Sequence, residues 1–253
     1  MFPIRDENPT LRTPIATYVL IGMNLVVWAV VQGFGLTEAM AQSLCNYALI
    51  PADLLNTGSA GMQINVGGGW ICQLEGNGQL SSLLSSMFLH GGWLHLGGNM
   101  LFLWVFGDNV EDIMGPGRFF LFYVLCGLAA AVAQILHDPS SAVPMVGASG
   151  AIGGVMGAYA ISFPRARVHL LIFLIVFITT VSVPAILMLG YWFLLQLLSG
   201  LGSWGQSGGG VAFWAHIGGF LAGIALIRPF RRDELIKARK RLTQRHTASR
   251  RWL

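Results

Sequence analysis

The sequence predicts an all-α membrane protein with six transmembrane helices and both termini in the cytoplasm. Three observations support this fold class. The chain of 253 residues is 54% hydrophobic and only 10% charged, whereas charged residues make up about a quarter of an ordinary soluble domain. Several apolar runs are long enough to cross the roughly 30 Å hydrocarbon core of a bilayer. Finally, the loops that this topology places outside the cell carry no Lys or Arg.

The six helices are predicted from the apolar runs in chain order. Five runs are expected to cross the bilayer once each, although the fourth of them is short for a crossing. A further run, 169–199, is long enough for either one or two crossings. The five single runs are 15–36, 87–107, 119–137, 149–164 and 212–228.

The distribution of basic residues favours a single crossing in 169–199. Cytoplasmic loops collect Lys and Arg, and a single crossing places all of them on one side. Two crossings would put the basic tail outside and would separate Ser149 from His216. We therefore expect an interfacial or re-entrant loop at about 168–182, including Thr179 and Thr180, with Pro184 starting the fifth helix. The basic residues are Arg5, Arg12, Arg118, Arg165, Arg167 and ten between Arg228 and Arg251.

The chain contains no internal repeat and no linker, which predicts one integral domain. We expect a cytoplasmic N-terminus at 1–14, a six-helix catalytic domain at 15–228 and a basic cytoplasmic tail at 229–253 that is disordered. A basic segment next to a span more often sets topology and contacts anionic lipid than it binds nucleic acid. The first apolar run lacks a small-residue cleavage pattern, so it is expected to remain as the first helix.

Two of the three cysteines fall in the first outer loop. Cys45 and Cys72 could form one disulfide if this loop faces an oxidising periplasm, but the sequence alone does not decide it. Cys126, in the third apolar run, is interpreted as a packing residue. The glycine-rich loop 199–211 is expected to be mobile, either as a gating cap or as an inert tether with Trp204 at the membrane interface.

The prediction of catalytic chemistry depends on a serine and a histidine that lie in apolar segments. An ionisable residue within a membrane span is costly, so His216 calls for a functional reason. Small residues recur at four-residue spacing beyond Ser149 and around His216, and such faces allow two helices to approach closely. Close packing would bring the imidazole to the hydroxyl, as nucleophilic catalysis requires. The packing residues are Gly150, Gly153, Gly157, Ala215, Gly219 and Gly223.

The second helix contains candidates for the oxyanion donors of a hydrolytic site. His95 and Asn99 are four residues apart and therefore share one side of a helix, where both could donate hydrogen bonds to an oxyanion. The acidic residues lie in loops, termini or helix ends, the nearest being Asp108, Glu111 and Asp112. We therefore expect a Ser-His dyad without an acid. A zinc site at His90 and His95 is a weaker alternative, because their spacing matches no zinc motif.

Three motifs together resemble the rhomboid intramembrane serine proteases. They are His95-Leu96-Gly97-Gly98-Asn99, Gly147-Ala148-Ser149-Gly150, and Ala215-His216-Ile217-Gly218-Gly219 followed by Gly223. Weaker similarity extends over residues 15–228.

The resemblance implies a rhomboid-like six-helix bundle in a bacterial inner membrane, with an active site that opens to the periplasmic side. Ser149 would be the nucleophile and His216 the base. Asn99, His95 and the Ser149 backbone N–H would stabilise the oxyanion, with Gly147 and Gly150 in support. Substrates would be single-span membrane proteins, cut near small residues, and no metal or other cofactor would be needed.

Two other functions remain open at this stage. An inert relative could hold membrane proteins for quality control, although such a scaffold would need neither Ser149 nor His216. A small-solute channel could use inward-facing His and Asn side chains, but the chain lacks recognisable inverted halves.

Overall fold

The computed structural model describes residues 2–76, 78–174, 177–203, 211–239 and 241. Within these residues, six long helices each overlap one of the six predicted apolar runs, with shifted ends. Three shorter helices, α2 (Thr37–Tyr47), α3 (Pro51–Leu54) and α4 (Ser82–Ser85), lie between the first and second long ones. Numbered in chain order, the long helices are α1 (Ile15–Val30), α5 (Trp93–Met114), α6 (Pro116–His137), α7 (Ser149–Ser162), α8 (Ala185–Gly202) and α9 (Phe213–Phe230).

Three of these helices are long and apolar enough to cross a membrane, namely α6, α8 and α9, with mean hydropathies of 2.3, 1.7 and 1.3. α1 is apolar but shorter. The number of crossings and the side on which the termini lie stay predictions, because length and apolarity identify only three of the six predicted spans.

The predicted second helix, 87–107, was wrong at both ends, since α5 runs from Trp93 to Met114. Gly91 and Gly92 precede the helix, and glycine is a poor helix residue. At the other end the helix continues through Asp108, Glu111 and Asp112. Their polar side chains find partners inside the protein, so the loss of apolar character does not end the helix.

The fold is mostly helical, as predicted, but it is not all-α, because the segment 168–182 that was expected to be an interfacial or re-entrant loop is built of strands. The path of this segment relative to the membrane stays a prediction. The segment forms an antiparallel hairpin of β4 (Arg167–Leu174) and β5 (Phe177–Pro184), and β1 (Phe2–Asp6) pairs with the other edge of β4. The hairpin is rich in Val, Ile and Thr, which favour strands. Strand pairing also satisfies backbone groups that an apolar loop would leave without partners. α8 begins at Ala185, one residue after Pro184, close to the predicted start.

The first outer loop is folded rather than extended. β2 (Gln63–Gly67) and β3 (Trp70–Gln73) form a second antiparallel hairpin. A disulfide between Cys45 and Cys72, with 5.5 Å between the Cα atoms, joins α2 to β3. Cys126 is buried as a free thiol on α6, consistent with a packing role. The cross-link fixes the loop that lies over the site end, which we define as the end of the bundle where Ser149 begins α7.

Glycines let α7 and α9 pack in backbone contact. A Cβ added to Gly219 would overlap the carbonyl of Gly150, and one added to Gly223 would overlap the carbonyl of Gly154. A Cβ added to Gly157 would also overlap the carbonyl oxygen of Phe220, while one added to Gly153 would lie 3.1 Å from the carbonyl oxygen of His216. α7 is the central helix of the bundle, since every residue from Gly150 to Ala160 is buried.

The opposite end of the bundle, where β1, β4 and β5 lie, is called the sheet end. Here Glu111 accepts hydrogen bonds from the backbone N–H groups of Ala16 and Thr17, at 3.0 and 2.8 Å, and from the Thr17 hydroxyl at 2.8 Å. These are the first helical N–H groups of α1, which have no acceptor within the helix. The carboxylate therefore fixes the start of α1 against the end of α5.

The predicted disordered tail is wrong for its first part. Arg239 is only 5% exposed. Its guanidinium donates to the Asp112 carboxylate at 2.6 Å and to the side chain of Asn109, and lies 4.5 Å from the centre of the Phe163 ring. These contacts dock the start of the tail onto the protein, and lipid contact by the rest of the tail stays a prediction. The remaining tail, 242–253, and residues 204–210 of the loop expected to be mobile fall outside the described residues.

A buried acid joins the N-terminal strand to α7. Asp6 accepts hydrogen bonds from the Tyr159 hydroxyl and, at 3.0 Å, from the Asn109 amide. Burial raises the pKa of Asp6 above its ordinary value of 3.8, and the Tyr159 hydrogen bond and the charge of Arg239 oppose that rise. The acids at this end therefore serve the packing of the termini and lie far along the bundle from Ser149.

Candidate active site

A turn built on Gly147 positions Ser149. Gly147 has a φ of +125°, a conformation that side chains other than glycine rarely adopt. Its N–H donates to the Ser86 carbonyl at 2.9 Å, and Met145 pairs with Leu49 in an isolated antiparallel bridge. The chain thus enters α7 along a path held by the outer loop. Ser149 is the first residue of the helix, where backbone N–H groups lack intrahelical acceptors.

The structure brings His216 to Ser149. The imidazole Nε2 lies 2.8 Å from the serine Oγ, although 67 residues separate the two in sequence. The contact follows from the glycine packing described above, because α7 carries Ser149 at its start and α9 carries His216 in its first turn. A hydrogen-bonded serine and imidazole have the arrangement of a nucleophile with its base.

Sequence reasoning missed the residue on the other side of the imidazole. The Gln196 Oε1 lies 2.8 Å from His216 Nδ1, and Gln196 belongs to α8. The available signal was a polar amide in the otherwise apolar segment Leu194-Leu195-Gln196-Leu197-Leu198. A buried polar group in such a segment requires a partner, but nothing in the local sequence identifies that partner.

His95 faces the same site from α5. Its Nδ1 lies 3.2 Å from the Gly91 N–H, which donates to it, so the proton of the neutral ring resides on Nε2. A Cβ added to Gly147 would lie 2.8 Å from this Nε2 and 3.5 Å from the Ser149 Oγ. Gly147 therefore lies between the imidazole and the hydroxyl, and any larger residue would block the approach of His95.

Asn99 lies one turn further along α5 on the side that carries His95. It is 7% exposed, and its amide Nδ2 has no hydrogen-bond acceptor among the residues that the structure describes. A buried donor without a partner costs about 1–3 kcal/mol. Such a donor is what an oxyanion site requires before substrate arrives.

His90 is held by its backbone rather than by its ring. Its N–H and carbonyl both bond to the Gln32 side chain, at 2.8 and 2.9 Å. The ring packs edge-on against His95, with 5.1 Å between the centroids. Within the described part of the chain, no three His, Cys, Asp or Glu side chains cluster as metal ligands would. The pair His90 and His95 thus supplies two ligands, fewer than a zinc site uses.

A cavity with about 360 Å³ of empty space, including its open mouth, lies beside Ser149. Its walls are mostly small or flexible side chains from α6, α7, α9 and the segments that precede α5, α7 and α9. They include Met87, Gly127, Ala130, Ala131, Met145 and Ala215. The glycines and alanines in these walls leave room for a small side chain next to the serine hydroxyl.

Comparison with known proteins identifies the family to which this chain belongs. Residues 77–233 match the Rhomboid domain family. The chain is 30% identical over 152 residues to the mitochondrial Rhomboid protein 1 of Saccharomyces cerevisiae, covering 56% of this chain and 40% of that protein. It is 36% identical over 156 residues to Rhomboid protease GluP of Bacillus subtilis, covering 62% and 28%.

A third relative, the mitochondrial RHOMBOID-like protein 6 of Arabidopsis thaliana, is 31% identical over 159 residues, covering 62% of this chain and 45% of the relative. The chain therefore matches less than half the length of each of these curated relatives. The matched region contains Ser149, His216, His95 and Asn99. The family resemblance expected from the three motifs is confirmed, and the chain belongs to the rhomboid family of multi-pass membrane proteins.

Proposed function

We propose that this protein is an intramembrane serine endopeptidase that cleaves single-span membrane proteins. The observation that carries the proposal is the 2.8 Å contact between His216 Nε2 and Ser149 Oγ in a bundle with apolar helices. The names of two relatives, both rhomboid proteins and one a protease, support the same reaction class.

In the proposed reaction, His216 Nε2 takes the proton of the Ser149 hydroxyl as Oγ attacks the peptide carbonyl. The same imidazole then protonates the leaving amine, and water completes hydrolysis of the acyl-enzyme. Negative charge on the carbonyl oxygen would be stabilised by His95 Nε2–H, the Asn99 amide and the Ser149 backbone N–H. Removal of a single donor of this kind costs on the order of 10²–10³ in kcat in other serine hydrolases.

The cavity beside Ser149 indicates which bonds would be cut. Its small walls favour a small side chain next to the scissile bond. A substrate helix must also open locally to present a carbonyl to the serine, and Gly or Pro weakens a helix by about 1 or 3 kcal/mol respectively. Cleavage is therefore expected near small, helix-weakening residues.

We further propose six membrane crossings in a bacterial inner membrane, with both termini in the cytoplasm and the site end opening to the periplasm. Basic residues support this orientation, because several of them lie at the sheet end. Arg12 bonds to the Asp112 carbonyl and Arg118 to the Phe230 carbonyl, each at 3.3 Å, and Arg167 begins β4. Retention of basic residues on one side is the usual mark of the cytoplasmic face.

The test is cleavage of a single-span test substrate by purified protein in detergent, with and without a chelator. Ser149→Ala and His216→Ala should each lower kcat on the order of 10⁴-fold or more, and the chelator should have no effect. Ser162→Ala is a matched control on the same helix, because the Ser162 hydroxyl has no hydrogen-bond partner among the described residues. Cleavage that survives Ser149→Ala would overturn the proposed function, as would failure of all forms to cleave or to react with a serine-directed fluorophosphonate.

A further inference from the structure

We propose that Gln196 is a positioning residue that holds His216 in the tautomer required of a base. This inference rests on the proposed Ser149–His216 dyad and extends it to a third helix. The imidazole lies between two partners, each 2.8 Å away: Ser149 Oγ on α7 faces Nε2, and Gln196 Oε1 on α8 faces Nδ1. Among the residues that the structure describes, no other side chain forms a hydrogen bond with this ring.

The chemistry of the two partners fixes the proton. An amide oxygen can only accept a hydrogen bond, so the Nδ1 that faces it must carry the hydrogen. A neutral imidazole has one N–H, which leaves Nε2 bare and able to accept the Ser149 proton. In the opposite tautomer Nε2–H would point at the hydroxyl, and Ser149 would have no base.

The identity of the residue also suits an apolar bundle. In soluble serine proteases a buried carboxylate has this orienting role, but an ionised carboxylate within a membrane span costs a few kcal/mol even on lenient scales. A neutral amide supplies the same acceptor oxygen without burying a charge. Gln196 can therefore orient the imidazole where an acid would be costly.

A second contact from the same helix supports the assignment. Trp192 lies one turn before Gln196 on α8, and its ring centroid is 5.8 Å from that of His216. The imidazole is thus held by α8 both through a hydrogen bond at its Nδ1 and through an aromatic neighbour.

The first measurement is the tautomer of His216 in the wild-type protein. Nitrogen-15 NMR of protein labelled at its six histidines distinguishes the two tautomers, and comparison with His216→Ala identifies the signal. We expect a protonated Nδ1 and an unprotonated Nε2 in the resting enzyme. A protonated Nε2 would overturn the proposal even if no variant at position 196 folds.

The second measurement compares variants that keep or remove the acceptor. Gln196→Met has a similar length but no acceptor oxygen, and it should lower kcat roughly 10-fold or more with KM within about twofold. Its His216 spectrum should lose the pure Nδ1–H pattern. Gln196→Glu keeps an acceptor oxygen and should recover most of kcat.

The matched control is Gln134→Met on α6, where the Gln134 Oε1 has no hydrogen-bond donor among the described residues; it should retain kcat. Wild-type kcat in Gln196→Met, or a loss of kcat with the tautomer unchanged, would overturn the role of Gln196. These results differ from the one expected if the proposed function itself is wrong, in which case cleavage would survive Ser149→Ala.

Discussion

The backbone contact between α7 and α9 predicts that Gly219→Ala abolishes efficient cleavage. A Cβ at position 219 would overlap the Gly150 carbonyl, which belongs to the residue immediately after Ser149. Because both sides of the contact are backbone, no side chain can move aside, and the helices must part by at least about 1 Å. A misplacement of that size costs on the order of 10²-fold in rate, and overpacking costs about 1–3 kcal/mol of stability.

The assay measures kcat on the single-span test substrate beside the thermal unfolding midpoint in the same detergent. Gly190→Ala is the matched control, since a Cβ there meets nothing within 4 Å and α8 should gain helix stability. We expect kcat to fall about 100-fold in Gly219→Ala and to stay unchanged in Gly190→Ala. Full activity in Gly219→Ala would refute the reasoning that glycine packing sets the distance between Ser149 and His216.

Three further predictions concern both ends of the bundle. Asn99→Ala should lower kcat about 10²–10³-fold with little change in KM, as the loss of an oxyanion donor would; a change confined to KM would contradict this role. Arg239→Met should reduce stability by roughly 3–5 kcal/mol, because it leaves the buried Asp112 charge unpaired, whereas the exposed Arg241→Met should not; equal unfolding midpoints would contradict the docking of the tail. Burial raises the pKa of Asp6, so the folded state favours the protonated form of this side chain. The stability that this protonation contributes is fully present below pH 3.8 and is lost as pH rises through the raised pKa. Asp6→Asn should therefore flatten the decline of the unfolding midpoint above about pH 4, and an unchanged slope would contradict it.

The site residues that could be predicted from sequence are those that differ in character from their immediate sequence neighbours. Ser149 and His216 stand out because polar, reactive side chains interrupt apolar glycine-rich segments, and the structure brings the two together. Gln196 interrupts an apolar segment in the same way, but its significance depends on which neighbour α8 faces. That neighbour is set by tertiary packing, so the hydrogen bond to His216 Nδ1 becomes visible only in the structure.

The differences between the predicted and the observed fold have a common physical origin. Hydropathy identifies segments that leave water, but it does not state how their backbone groups are satisfied. The segment Arg167–Pro184 is apolar enough to suggest a membrane loop, yet it forms a hairpin because β1 offers a further strand to pair with. The continuation of α5 through Asp112 and the docking of Arg239 have the same cause, since each charged side chain is hydrogen-bonded to a segment more than 100 residues away.

Buried polar groups have different roles at the two ends of the bundle. At the sheet end Glu111 accepts three hydrogen bonds, and the Asp112 Oδ2 accepts two, one of them from Arg239, whose charge offsets that of the carboxylate. The Asp112 Oδ1 has no donor among the described residues, but the other contacts hold the helices in place. At the site end the Asn99 amide has no acceptor within the described residues, and the partner of His216 at Nδ1 is a neutral amide rather than an acid. An unsatisfied donor is costly in the resting protein but gains its partner when negative charge develops on a substrate carbonyl. The stability supplied at the sheet end therefore allows the site end to keep donors ready for the transition state.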